Sequence, residues 1–308
     1  MKANTDTHIT IPLRENNLAE ALAGMAIIGI AEKIEGSGVL ECKWENDHLH
    51  LKTELPEYLI LKSIEDFVLN VTAIHSTSTL TRELASDNIN LKQFLLLQNG
   101  AMLGGCPLFT VSSTLKTSVF KSYTGLVNLE TILEKQLLSI PSKSFTSIAE
   151  YVHSLGAPVF KNAEGRFTRE VQLYRTGARK GMIKSSEKIN VFLFDSSTGC
   201  NPYDLGFSSD GEETGPFDPV YPAREILAYL GLAFFLPWSV LCNDSQGLGS
   251  VIYFVWREYL PSSFCPLAFS RKINGLDQDT MIARRLPKGA GDSRTKFFSD
   301  ALLVDKNY

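Results

Sequence analysis

The chain has 308 residues, 44% hydrophobic and 21% charged, with a formal net charge of −4. These proportions exclude a disordered chain, and the slightly acidic balance excludes a protein drawn to nucleic acid by its overall field. Five dispersed cysteines, none in CxxC spacing, argue against a disulfide scaffold or zinc finger, so reduced thiols in a cytoplasmic setting are expected.

The opening MKANTDTHIT has no apolar signal core, and the longest apolar runs, Ile226–Leu241 and Ser250–Trp256, are too short or too proline-broken to span a bilayer. No membrane partner is expected. His8–Leu13 alternates apolar and polar and predicts a strand. Asn17 stands three residues before Glu20, the spacing of a capping box with Asn in place of Ser or Thr. Leu18–Ile34 is apolar on nearly every face and contains Gly24 and Gly29. It predicts a buried helix that approaches a sheet closely, with Gly36 as its stop. Val39–Trp44 and Leu49–Lys52 predict two strands joined by a turn at Glu45-Asn46-Asp47. Strand, helix, strand, strand is the opening of a ferredoxin-like unit.

The middle of the chain is mixed. Leu91–Leu97, Val127–Leu138 and Phe145–Ser154 read as helical, 99–107 as a loop, and the Ser/Lys/Pro-rich Ser139–Ser147 as a linker. Beyond it, Lys188–Asp195 predicts an apolar strand. Ala223–Phe235 predicts a helix opened by Pro222 and ended by Pro237, and Val251–Trp256 a further buried strand. AEALAGMAIIGIA at 19–31 and AREILAYLGLAFF at 223–235 share an Ala/Leu/Gly pattern. This suggests two related units, although two buried helices of like composition would look the same. The expected fold class is α+β. It comprises two ferredoxin-like or RRM-like units with an inserted mixed helical segment, divided as 1–150 and 151–308.

Motifs for catalysis are missing. There is no GxSxG elbow, Walker A loop or HExxH helix. Asp195, Asp204, Asp210 and Asp218 sit near one strand end and its acidic loop, but nothing sets the spacing a divalent cation needs. The five histidines form no interpretable cluster, although His48 and His50 share one strand face. No metal, cofactor or catalytic residue is expected.

Basic segments are the stronger signal. Gly165–Lys184 carries Arg166, Arg169, Arg175, Arg179, Lys180 and Lys184 against the single acid Glu170, with Phe167 and Tyr174 interleaved. Gly177 and Gly181 flank the Arg179-Lys180 pair and would let the backbone approach a phosphate. Ala283–Lys296 supplies Arg284, Arg285, Lys288, Arg294 and Lys296 on what reads as a flexible Gly-rich loop. The candidate nucleic-acid contacts are Arg175, Arg179, Lys180 and Lys184 in one segment, and Arg284, Arg285, Lys288 and Arg294 in the other. Solvated loops are the alternative.

Two stretches carry a family resemblance. NPYDLGFSSD at 201–210, followed by YPAREILAYLGLAFFLP at 221–237, resembles the second-half pattern of a subtype I-U (also called I-G) CRISPR effector subunit family. That family is the short, large-subunit-type component of the crRNA-guided Cascade complex. IPLRENNLAEALAGMAIIGIAEKIEGSGVLECKW at 11–44 resembles its start, with Asn16-Asn17 where Pro or Gly is more usual. The resemblance covers about the first fifty residues and Val191 to Pro237. It implies a non-enzymatic subunit bound to guide RNA, target DNA and other Cascade subunits. Such a subunit would assist PAM recognition and R-loop formation and present a docking surface to the helicase-nuclease. The alternatives are a ferredoxin-like RNA-processing endonuclease and a structural subunit that contacts only proteins.

Overall fold

The computed structural model describes residues 7–34, 40–75, 129–162, 164–169, 220–231, 250–287, 296–298 and 300–304. Thr7–Pro12 is β1, and its buried positions Ile9 and Ile11 alternate with exposed His8, Thr10 and Pro12, the mark of a sheet with one face on the core. Leu18–Glu32 is α1. Asn17 caps it, its side chain accepting from the backbone N–H groups of Ala19 at 3.0 Å and Glu20 at 3.3 Å. The capping box is completed differently from the sequence expectation. Glu20 reaches past Asn17 to the backbone N–H of Arg14 at 2.6 Å, while the Asn17 N–H donates to the Arg14 carbonyl at 3.2 Å. Every residue from Leu18 to Ala31 is buried, as an all-round apolar helix requires.

Glu41–Glu45 is β2 and His48–Thr53 is β3. Asn46 and Asp47 both have positive φ, 50° and 58°, the backbone that a two-residue hairpin loop needs to match strand twist. β3 lies between β1 and β2 and is antiparallel to both, so β1, α1 and β2 form a split β-α-β unit. Glu57–His75 is α2.

Leu129–Ser139 is α3, within a residue or two of the amphipathic stretch read from sequence. Ile148–Val152 is α4, shorter than the predicted 145–154. The intervening linker candidate is tied down: Ser139 and Ile140 are buried, and the Ile148 N–H donates to Glu57 at 2.9 Å. Phe160–Lys161 (β4) and Phe167–Thr168 (β5) form a small hairpin.

Pro222–Gly231 is α5, opened by its proline as expected and buried along its whole length. Ser250–Trp256 is β6. Leu260–Pro261 is β7, which adds to the free edge of β2 and completes a four-stranded sheet in the order β1-β3-β2-β7. A 3-10 turn, Ser262–Phe264, leads into α6, Cys265–Ser270. Gln278–Pro287 is β8, Lys296–Phe298 is β9 and Leu302–Val304 is β10. β8 runs between β6 and β10 in a second antiparallel sheet, and β9 also pairs with it. The fold class is α+β.

A single apolar core takes side chains from both ends of the chain, from Ile9 to Ala301. The two helices of like composition, α1 and α5, are packed against each other at its centre. Trp44, Trp256, Tyr229, Tyr253 and Phe269 are the largest side chains sealed inside. The two sheets are stitched together by polar bonds as well. Trp256 Nε1 donates to the Cys42 carbonyl at 2.8 Å, and the Tyr253 hydroxyl to the Glu15 carbonyl at 2.8 Å. Arg257 forms a two-pronged ion pair with Glu15, both contacts 2.6 Å, and a further pair with Asp279. The hydrogen bonds that Arg257 donates to Glu15 raise its pKa, against a smaller opposing effect of burial.

Candidate nucleic-acid interface

One face of the β1-β3-β2-β7 sheet is buried in the core, and among the described residues the other carries half-buried and exposed side chains. The alternation of each strand decides which residues stand there. His8, Thr10 and Pro12 come from β1, His48, His50 and Lys52 from β3, and Glu41, Lys43 and Glu45 from β2. Strand register lines them up in three rungs: His8–Lys52–Glu41, Thr10–His50–Lys43 and Pro12–His48–Glu45. Tyr259, just before β7, borders the same face. Its ring is edge-on to His8 with centroids 6.4 Å apart, and Lys43 Nζ lies 5.1 Å from the ring centre.

Three of the chain's five histidines therefore share one sheet face, an arrangement not expected from sequence. His48 and His50 already share one face of a single strand in the sequence. Only the β1–β3 pairing adds His8. The His48 and His50 rings are 6.1 Å apart, and Thr10 Oγ1 is 3.2 Å from His50 Nδ1. Among the described residues no group of three or more His, Cys, Asp or Glu side chains is arranged to hold a metal.

The face is balanced in charge. Lys43 pairs with Glu45 at 2.7 Å and Lys52 with Glu41 at 3.3 Å. The hydrogen bond from Lys43 lowers the Glu45 pKa. Burial, then the nearby Lys43 charge, lowers the His50 pKa, which favours the neutral imidazole. Rings and paired charges on one face of an antiparallel sheet can offer a platform for stacking planar groups. They do not make a strongly cationic track.

A second polar constellation lies at the buried end of α1. Glu20 Oε1 accepts from Arg14 at 2.8 Å and 3.0 Å and from Arg224 Nη1 at 2.9 Å. Arg224 Nη2 is 2.7 Å from His153 Nδ1, and His153 Nε2 is 2.6 Å from the Pro12 carbonyl. A guanidinium only donates and a carbonyl only accepts, so His153 is the tautomer with hydrogen on Nε2. Both ring nitrogens are engaged, which leaves His153 no open position for proton transfer. The Arg224 guanidinium also stacks 4.0 Å from the Tyr221 ring centre. These residues join the β1–α1 loop, α4 and α5. They hold the fold in place.

The basic residues proposed from sequence are distributed differently from expectation. Arg284 and Arg285 are not on a loop. They continue β8, paired to Ser250 of β6 and Phe298 of β9 respectively. The run MIARRLP keeps the strand going because Arg is tolerated at exposed strand positions, and Arg284 is exposed. Arg169, from the first basic segment, is committed elsewhere. Its guanidinium donates to the carbonyls of Leu137 (3.2 Å), Leu138 (2.7 Å) and Ile140 (3.0 Å) and to the Ser142 hydroxyl, so it caps the C-terminal end of α3. Arg175, Arg179, Lys180, Lys184, Lys288 and Arg294 lie outside the described residues, as do the acidic loop and the strand predicted at 188–195.

No protein-family model matches this chain, and no curated protein matches it.

Proposed function

We propose that the chain is a non-catalytic, nucleic-acid-binding subunit of a crRNA-guided type I CRISPR surveillance complex. The observation that carries the binding reading is the polar face of this sheet, with His8 and His50 in its aligned rungs and Tyr259 beside them. Antiparallel sheets of this kind bind single strands by stacking unpaired bases on rings presented by the strands. The split β-α-β unit followed by α2 supports a ferredoxin-like or RRM-like reading of this half. Its fourth strand, β7, is supplied from the far end of the chain and sits beside β2.

Because lysines and glutamates on the face pair with each other, this surface would grip bases more than phosphates. The phosphate contacts fall to Arg175, Arg179, Lys180 and Lys184, and to Arg284, Arg285, Lys288 and Arg294. The family resemblance supplies the setting: a cytoplasmic particle with guide RNA, target DNA, backbone subunits and a helicase-nuclease. In it, base pairing provides sequence specificity and protein contacts read PAM and shape.

The test is fluorescence anisotropy with single-stranded RNA and DNA, comparing the full-length protein with Tyr259→Ala and His50→Ala. Loss of one stacked base weakens binding by about tenfold. Unchanged affinity in both variants would remove the sheet face from the interface. In the assembled complex, charge reversal at Arg179 and Lys180 should lower target-DNA affinity and flatten its salt dependence. A specific cleavage product from repeat RNA and the isolated protein would instead favour the endonuclease.

A further inference from the structure

We propose that Cys42 and Cys265 form a covalent modification site, at which hydrogen peroxide converts two thiols into an intramolecular disulfide fastening β7 and α6 to β2. The two Sγ atoms are 3.0 Å apart and fully buried, although 223 residues separate them in sequence. That distance is about 1 Å beyond a disulfide bond, within reach of small side-chain rotations.

The fold brings the pair together by specific contacts. Cys42 points to the core side of β2 and is paired in register with Leu260 of β7. The chain then turns at Ser262, whose N–H donates to the Leu40 carbonyl at 2.9 Å. This anchor sets Cys265, the first residue of α6, directly over Cys42. Cys265 Sγ also donates to the Pro261 carbonyl at 3.4 Å. The strand part of the covering segment is short: two register pairs, Glu41–Pro261 and Cys42–Leu260, join β7 to β2, and the neighbouring Phe264 is 57% exposed. Short edge segments of this kind open locally without global unfolding.

The chemistry balances with peroxide as the oxidant. When the segment opens, the Cys265 thiolate attacks one peroxide oxygen. An S–O bond forms, the O–O bond breaks, and the departing hydroxide takes up the thiol proton as water. On closure the Cys42 sulfur attacks the sulfenic sulfur. The S–S bond forms, the S–O bond breaks, and the second hydroxide leaves with the Cys42 proton as water. Two thiols are oxidised by two electrons and one peroxide is reduced to two waters. Burial and the hydrogen bond with Cys265 push the Cys42 thiol pKa up, which suits Cys42 to the second, resolving role. The disulfide would fix the position of Tyr259, adjacent to β7, but its formation does not depend on what the sheet face binds.

The experiment treats the purified full-length protein with hydrogen peroxide, alkylates remaining thiols under unfolding conditions, and maps unreduced peptides by mass. The expected product is a Cys42–Cys265 cross-linked peptide pair that dithiothreitol dissolves, with an upward shift in melting temperature that the same reductant reverses. Equal alkylation of both cysteines before and after peroxide would overturn the proposal. So would sulfinic acid at either position without a cross-link, or cross-linking to Cys106, Cys200 or Cys242 instead. Cys265→Ser should abolish both the cross-link and the melting shift, and a retained shift would also overturn it. The wild-type peptide map decides the question even if that variant does not fold.

Discussion

Gly231 of α5 lies directly against the backbone of Leu22 in α1. A Cβ at position 231 would stand 1.9 Å from the Leu22 carbonyl oxygen and 2.6 Å from its carbonyl carbon. The obstacle is backbone within a fully buried helix, so no rotamer change relieves it. Gly24 meets a different neighbour: a Cβ there would stand 2.7 Å from the Trp44 ring, which is itself sealed in the core. Gly275, with φ of +86° and nothing within 4 Å, has only backbone strain to lose. Denaturant unfolding should therefore rank the alanine variants. Gly275→Ala should cost about 1–2 kcal/mol. Gly24→Ala should cost about 1–3 kcal/mol and Gly231→Ala more than that, to the point of preventing folding. Equal costs at 24 and 231 would mean that α1 and α5 can slide apart.

Glu20 separates a buried partner from a half-exposed one. Arg224 has a 3% exposed side chain and Arg14 a 41% exposed one, and both reach the same carboxylate oxygen. Removing Glu20 takes a buried ion-pair partner from Arg224, and breaking a buried pair costs far more than breaking an exposed one, so Glu20→Ala should destabilise by about 3–5 kcal/mol. Arg14→Ala should cost about 0–1 kcal/mol, because water takes over its role. A double-mutant cycle between positions 20 and 224 should show strong coupling. Independent effects would contradict the geometry.

Glu150 should make stability fall in acid. It accepts hydrogen bonds from Lys143 Nζ at 2.6 Å and from the Thr146 N–H and hydroxyl, both at 2.9 Å. Those bonds, Lys143 first, lower its pKa from 4.5 to about 2. A carboxylate with a depressed folded pKa contributes fully above its unfolded value. That contribution is lost as the pH falls from about 4.5 toward about 2. Wild type should be more stable than Glu150→Gln at neutral pH, with the gap closing over that acidic window. A pH-independent gap would assign the effect to packing.

Where local rules suffice, the sequence reading and the structure agree. The Asn17 cap, the all-apolar α1, the Asn46-Asp47 turn, the proline-opened α5 and the apolar β6 are each decided by residues within a turn or two of one another. The readings that differ involve partners distant in sequence. Glu20 satisfies its capping spacing, yet its carboxylate is shared with Arg14 and Arg224 because α5 arrives beside α1. Arg284 and Arg285 have the composition of a loop, but β6 and β9 offered β8 hydrogen-bonding partners, and pairing outweighed composition. Arg169 belongs by composition to the first basic segment, but α3 supplied carbonyls that needed capping.

Sequence alone determined the α+β class, because hydrophobic periodicity and turn chemistry are properties of neighbouring residues. Only the tertiary structure decided the candidate site. A strand's alternation says which residues share its own face, but not which strand lies beside it. The β1–β3 register brought His8 onto the face of His48 and His50, and β7, added from the other end of the chain, set Tyr259 beside them and Cys265 over Cys42.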